Sequence, residues 1–92
     1  MGYDRLETGN RIRNVRAKKN WTQQDLAEKA AMSIQHLRGL ESGQRNLTAE
    51  SLSNLSEALG VSTDYLLMGK SGTSDFVYNM LSGVLKELSN IG

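Results

Sequence analysis

Residues 22–43, TQQDLAEKAAMSIQHLRGLESG, decide how the rest of the chain is read. Two short helices separated by a tight turn are written into this stretch. Thr22 is a good N-cap, and Asp25 three residues later gives a capping-box-like start, with aspartate in place of the usual glutamate or glutamine. Leu26, Ala27 and Ala30 share one apolar helix face. Ser33 suits the cap of a second helix whose inward residues are Leu37 and Leu40, and Gly43 suits its end in the left-handed conformation. The turn Ala31-Met32 lacks glycine, so one residue there is expected to carry a positive φ. The polar run Ser33, Ile34, Gln35, His36 and Arg38, with Ile34 its one apolar member, is expected to face outward on the second helix. Helices this short do not hold together by themselves in water, so the flanking sequence has to cover their apolar faces.

The flanks are patterned to do so. Thr8 to Lys19 predicts a first helix, with Ile12, Val15 and the stem of Lys19 on one face, Arg16 beside that stripe, and residues 1–7 loosely docked. Asn20 suits a left-handed stop, with Trp21 folding back onto the core. After a mostly polar link, Gln44 to Leu47, Thr48 caps a fourth helix with Leu52, Leu55, Ala58 and Leu59 inward. Gly60 ends it and Val61 packs back. Ser62 caps a fifth, running through Tyr65, Leu66 and Leu67 to Met68, and Gly69 ends that one. Proline is absent, glycines fall at intervals, and no stretch alternates with a period of two, so an all-α domain over residues 8–69 is expected. Residues 70–73 have the composition of a flexible linker. Residues 74–91 predict a C-terminal amphipathic helix: Val77, Leu81, Val84, Leu88 and Ile91 recur at spacings of 4, 3, 4 and 3, a coiled-coil-like seam, and Phe76, Met80 and Leu85 widen it. Such a face must pack on its own domain or on a second copy. The dimer is the sharper expectation, with those eight residues at its interface.

Composition limits the function classes. A chain of 92 residues has room for one small core, and with no cysteine it has neither a disulfide nor a thiolate metal site. One histidine, no phosphate-cradling glycine loop and no paired-carboxylate motif leave little to support an enzyme, a cofactor or a metal. At this length a ligand-sensing domain, and so a small-molecule ligand, is not expected. MGYDRLETG at the start has no apolar h-region and no run approaches membrane-spanning length, so a cytoplasmic protein is expected, with no membrane partner. The net charge of +1 divides unevenly: residues 1–46 hold nine Lys/Arg against five Asp/Glu (+4), and residues 47–92 hold two against five (−3). A basic first half is suited to a polyanion.

The run Arg11-Ile12-Arg13, Arg16, Thr22-Gln23, Leu26-Ala27, Ser33, Leu37, Leu40-Glu41, Gly43, Leu52, Leu55, Ala58-Leu59, Val61-Ser62, Tyr65-Leu66-Leu67 and Gly69 resembles the Cro/cI-like helix-turn-helix domains, the XRE family of bacterial and phage regulators. The resemblance covers residues 8–69. It implies a five-helix lambda-repressor-like fold and sequence-specific binding of double-stranded DNA, with the helix over residues 33–42 in the major groove and the preceding helix across the backbone. In that setting Gln35 is the first candidate for base reading, since a glutamine amide pairs with adenine N6 and N7, and Arg38 can fork onto guanine O6 and N7 or reach a phosphate. Ile34 suits a thymine methyl. His36 suits a phosphate or the edge of the site, Gln23 a clamp on the backbone with Gln24 and Ser33 beside it, and Arg45 and Asn46 the flanking phosphates. Arg11 and Lys19 rank lower as backbone contacts. The resemblance further implies a buried ion pair between Arg16 and Glu41. Three departures stand out: Ala31 where glycine is common, Leu47 where proline is common, and Gly39 inside the recognition helix, which weakens the helix and removes a possible base-reading side chain. The expected function is a homodimeric transcriptional repressor on a pseudo-palindromic operator. The alternative is a protein-interaction module, an antitoxin or co-regulator using the C-terminal helix as its partner site.

Overall fold

The computed structural model describes residues 4–69, which form five helices and no strand. They are α1 (Arg5–Lys18), α2 (Gln23–Lys29), α3 (Ile34–Glu41), α4 (Ala49–Leu59) and α5 (Thr63–Met68). The linker 70–73 and the helix over 74–91, with the dimer seam assigned to it, lie outside the described residues.

Each helix begins at a side-chain cap. Asp4, Thr22, Ser33, Thr48 and Ser62 take extended backbone and accept hydrogen bonds from amides two or three residues on. These bonds satisfy donors that an α-helix leaves unpaired at its first turn. The cap at Asp4 corrects the expected start of α1. The helix opens at Arg5 instead of Thr8, because the Asp4 carboxylate accepts from the amides of Leu6 (2.9 Å) and Glu7 (3.3 Å). Thr8 and Gly9 are then interior residues of α1, both buried.

The stops use one device repeatedly. Asn20 (φ 60°), Ala31 (φ 54°) and Gly43 (φ 80°) are all left-handed. After each, the next amide reaches five residues back: Trp21 to Arg16 O at 3.2 Å, Met32 to Ala27 O at 2.9 Å, Gln44 to Gly39 O at 2.9 Å. This is the Schellman pattern. At Ala31 a side chain bears the steric cost of that conformation, which glycine would avoid. The other left-handed residues, Gly60 and Gly69, close α4 and α5.

One core joins all five helices. Ile12 from α1, Leu26 from α2, Leu37 from α3, Leu55 from α4 and Leu66 from α5 have no exposed surface. Trp21, from the α1–α2 turn, packs against this cluster, and the Lys19 and Lys29 ammonium groups lie 5.2 and 4.9 Å from its ring centre. The tightest approach is between α1 and α3. A Cβ added at Gly9 would lie 2.4 Å from Glu41 O and 2.6 Å from Leu40 O, so the two backbones touch there and only glycine fits. Arg11, ranked low as a DNA contact, is used inside the fold: its Nη1 donates to Leu66 O at 3.1 Å and its Nη2 reaches Glu7 at 3.2 Å, tying α5 to α1.

Two expectations follow. Gly9→Ala forces a methyl against backbone carbonyls that cannot swing aside, and should lower stability by about 1–3 kcal/mol despite alanine's better helix propensity; an unchanged or raised melting temperature would contradict this packing. At α2, the Thr22 amide donates to Asp25 Oδ2 at 2.8 Å and Asp25 N donates to Thr22 Oγ1 at 3.0 Å, a reciprocal capping box. The Thr22 backbone amide, and after it the Thr22 hydroxyl, hold the Asp25 carboxyl below its ordinary value of 3.8. A depressed carboxyl stabilises the fold above its unfolded value, and that contribution is lost as pH falls through the lowered folded value. The gap in melting temperature between the native chain and Asp25→Asn should therefore be widest near neutrality and shrink in acid, below the ordinary aspartate range; a gap constant with pH would show that the carboxylate charge plays no part.

Candidate nucleic-acid interface

α3 presents the side chains assigned to readout. By helix geometry Gln35, Arg38, Gly39 and Ser42 fall on the face opposite Leu37, Leu40 and Glu41, which are buried. Gln35 and Arg38 are exposed one turn apart. Ser33 is exposed at the start, its hydroxyl accepting from the His36 amide at 3.1 Å. Ile34 is half-buried and packs against the core, leaving only part of it toward solvent.

Beneath this face runs a chain of polar contacts with Glu41 at its centre. Glu41 is 4% exposed. Its Oε2 accepts from Arg16 Nε at 2.7 Å and its Oε1 accepts from Arg16 Nη2 at 3.0 Å, a bidentate fork. Arg16 Nη1 donates to Trp21 O at 2.9 Å, so the guanidinium also anchors the α1–α2 turn. Gln23, at the start of α2, donates its Nε2 to Glu41 Oε1 at 3.1 Å. The same Gln23 side chain accepts from Arg38 Nε through Oε1, at 3.2 Å. A continuous path thus runs from Trp21 through Arg16, Glu41 and Gln23 to Arg38 on the outer face. Both ends of the Gln23 amide are engaged by protein groups, a relay that its position at a helix start does not reveal in sequence.

The remaining candidates divide. His36 does not face outward with its neighbours: it is half-buried, and its Nε2 lies 3.2 Å from Ser51 Oγ at the start of α4. Ser51 in turn accepts from Thr48 Oγ1 at 3.0 Å, so His36 joins α3 to the α4 cap. Gln24 is exposed and bonds one turn along its own helix, Nε2 to Glu28 Oε1 at 3.0 Å. Arg45 and Asn46 are exposed in the loop after α3, but Arg45 folds back over α3 at Gly39. Gly39 itself is buried, although it falls on the same side of α3 as Gln35 and Arg38. Among the described residues there is no group of three or more His, Asp or Glu disposed to hold a metal ion, and no helix long and apolar enough to cross a membrane.

Two short helices joined by a left-handed turn, with the second offering an exposed glutamine and arginine above a buried ion pair, match a known family model. A helix-turn-helix model aligns with residues 12–66. The chain belongs to the helix-turn-helix family. A curated relative, the HTH-type transcriptional regulator ImmR of Bacillus subtilis, is 29% identical over 89 residues, covering 92% of this chain and 70% of ImmR. The P22 c2 repressor, solved in complex with a synthetic operator, superposes with a TM-score of 0.66 at 35% identity over 68% of this chain and 96% of that one. SinR, described as the master regulator for biofilm formation and solved in complex with DNA, gives 0.63 at 33% identity over 65% of this chain and 97% of that one. The fold is lambda-repressor-like, and the chain is a non-enzymatic DNA-binding transcriptional regulator of the Cro/cI-like type.

Removing Glu41 would leave the Arg16 guanidinium, only 14% exposed at its side chain, without its partner. Glu41→Ala should cost about 3–5 kcal/mol, whereas Glu28→Ala on the surface should stay within about 0.5 kcal/mol. Thermal melts of the two variants decide it, and equal melting points would refute the structural weight placed on this pair.

Proposed function

We propose that this chain is a repressor that binds a pseudo-palindromic operator as a homodimer, with α3 of each copy in the major groove. The observation that carries the reading is the pairing of exposed Gln35 and Arg38 one turn apart on α3. A glutamine amide matches adenine N6 and N7, and an arginine fork matches guanine O6 and N7, so the two together suit adjacent base pairs. Ser33 and the exposed part of Ile34 lie at the groove-entering end. Gln23 holds Arg38 by its Nε, and Asn46 follows in the loop toward the flanking backbone. The operator complex of the P22 c2 repressor and the DNA complex of SinR support double-stranded DNA as the partner. The basic first half of the chain supports it also.

The dimer rests on the sequence pattern of residues 74–91. A seam of Val77, Leu81, Val84, Leu88 and Ile91, broadened by Phe76, Met80 and Leu85, pairs two copies and sets their recognition helices roughly 34 Å apart, one turn of B-DNA. A chain of this kind acts in the cytoplasm, where bacterial and phage operators are.

Selection of bound duplexes from a random pool should return a two-fold symmetric site with half-site centres about 10 base pairs apart. Affinity for that site should fall steeply and log-linearly with salt as phosphate contacts release counterions. Failure of micromolar protein to shift any duplex at low salt would overturn the reading and favour a protein partner.

A further inference from the structure

Gly39 stands on the reading face of α3 and yet is buried. It lies four residues beyond Gln35, about 40° round the helix and one turn along, so a side chain there would project beside Gln35 toward the same groove. What covers it is Arg45. The three atoms nearest to a Cβ built at Gly39 are all from that side chain: Cδ at 2.6 Å, Cγ at 2.7 Å and Nε at 2.9 Å. Arg45 thus occupies the space that residue 39 would otherwise fill. The backbone holds it there. The left-handed Gly43 turns the chain back after α3, and the amides of Gln44 (2.9 Å) and Arg45 (3.1 Å) both donate to Gly39 O, with Ser42 Oγ a third donor at 3.2 Å. Arg45 nevertheless remains exposed.

We infer that Arg45 is a base-reading residue: laid through the notch at Gly39, it supplies from the following loop the groove contact that α3 itself lacks at position 39. This rests on the DNA-binding reading above and changes one assignment within it, since a loop arginine after a recognition helix is otherwise expected on flanking phosphate. The notch and the arginine form one unit. The glycine provides room for the aliphatic stem, and the stem carries a planar fork to the helix face, where guanine O6 and N7 are its natural acceptors. The absence of a side chain at 39 is therefore a condition of readout by another residue.

The test compares base preference, not affinity alone. Duplexes selected by the full native chain define its site; each base pair is then varied and binding measured for the native chain, Arg45→Lys, Arg45→Ala and Gly39→Ala. A base-reading fork predicts that Arg45→Lys keeps most of the affinity but loses roughly tenfold discrimination at one base pair of each half-site. Arg45→Ala should lose discrimination at the same base pair. Gly39→Ala, whose methyl evicts the arginine stem, should lose it too, and the double variant Gly39→Ala/Arg45→Ala should be no worse than either single one. A phosphate clamp instead predicts a uniform loss for Arg45→Ala, a salt slope reduced by about one, and full rescue by lysine; that result, or additive losses at different base pairs, would overturn the inference while leaving DNA binding intact. No enriched site for the native chain would overturn both.

Discussion

The placement of α3 depends on a carboxylate removed from water. Glu41 sits at the C-terminal end of α3, against the carbonyl-to-glycine contact with α1, and it accepts three hydrogen bonds from outside α3: two from Arg16 on α1 and one from the Gln23 amide on α2. Burying an ion pair costs desolvation that its mutual attraction only roughly offsets, so such a pair adds little net stability over a well-packed apolar substitute. Its geometry is what distinguishes it. A bidentate fork tolerates little rotation or sliding between its partners, and an apolar contact between α1 and α3 would tolerate both. The pair therefore fixes the angle at which α3 leaves the domain.

The helix boundaries were legible in sequence because each depends on residues adjacent in the chain. Thr22 with Asp25, Ser33, Thr48 and Ser62 cap the helices they precede, and Asn20, Gly43, Gly60 and Gly69 take left-handed backbone where a stop was expected. Even the strained member of the α2–α3 turn is there, at Ala31. The start of α1 was less visible. Asp4 lies before a stretch with little amphipathic signal, and the pattern becomes clear only at Ile12, so Arg5 to Glu7 looked like part of a loose end.

What lay hidden are contacts made across the fold. Periodicity puts His36 next to Gln35 on a polar run, and only the approach of α4 brings Ser51 within 3.2 Å of its ring. Arg11 looks like one more surface cation until the carbonyl of Leu66, 55 residues away, is placed beside it. Gly9 has no mark in the sequence beyond being a glycine in a helix; that two carbonyl oxygens of α3 stand where its Cβ would be is a property of the assembled helix pair. Gly39 shows the same limit in reverse, since its burial comes from a loop residue that folds back.

The glycine in α3 also bears on how an eight-residue helix holds a defined face. Glycine in a helix interior costs about 1 kcal/mol against alanine, and a helix of this length has no stability of its own to spare. The ends compensate. Ser33 closes the first turn through the His36 amide, and at the other end the Gly39 carbonyl collects three donors from the chain that wraps behind it. Between them Leu37 and Leu40 enter the core, and Glu41 is held by α1 and α2. Every one of these restraints acts from the back or the ends of α3, so none requires a bulky residue on the outer face. The outward positions of α3 thereby carry little of the load of holding the helix in place. The same arrangement that makes a glycine tolerable at position 39 lets the surface around it be set by residues outside the helix, Arg45 across the notch and Gln23 behind Arg38.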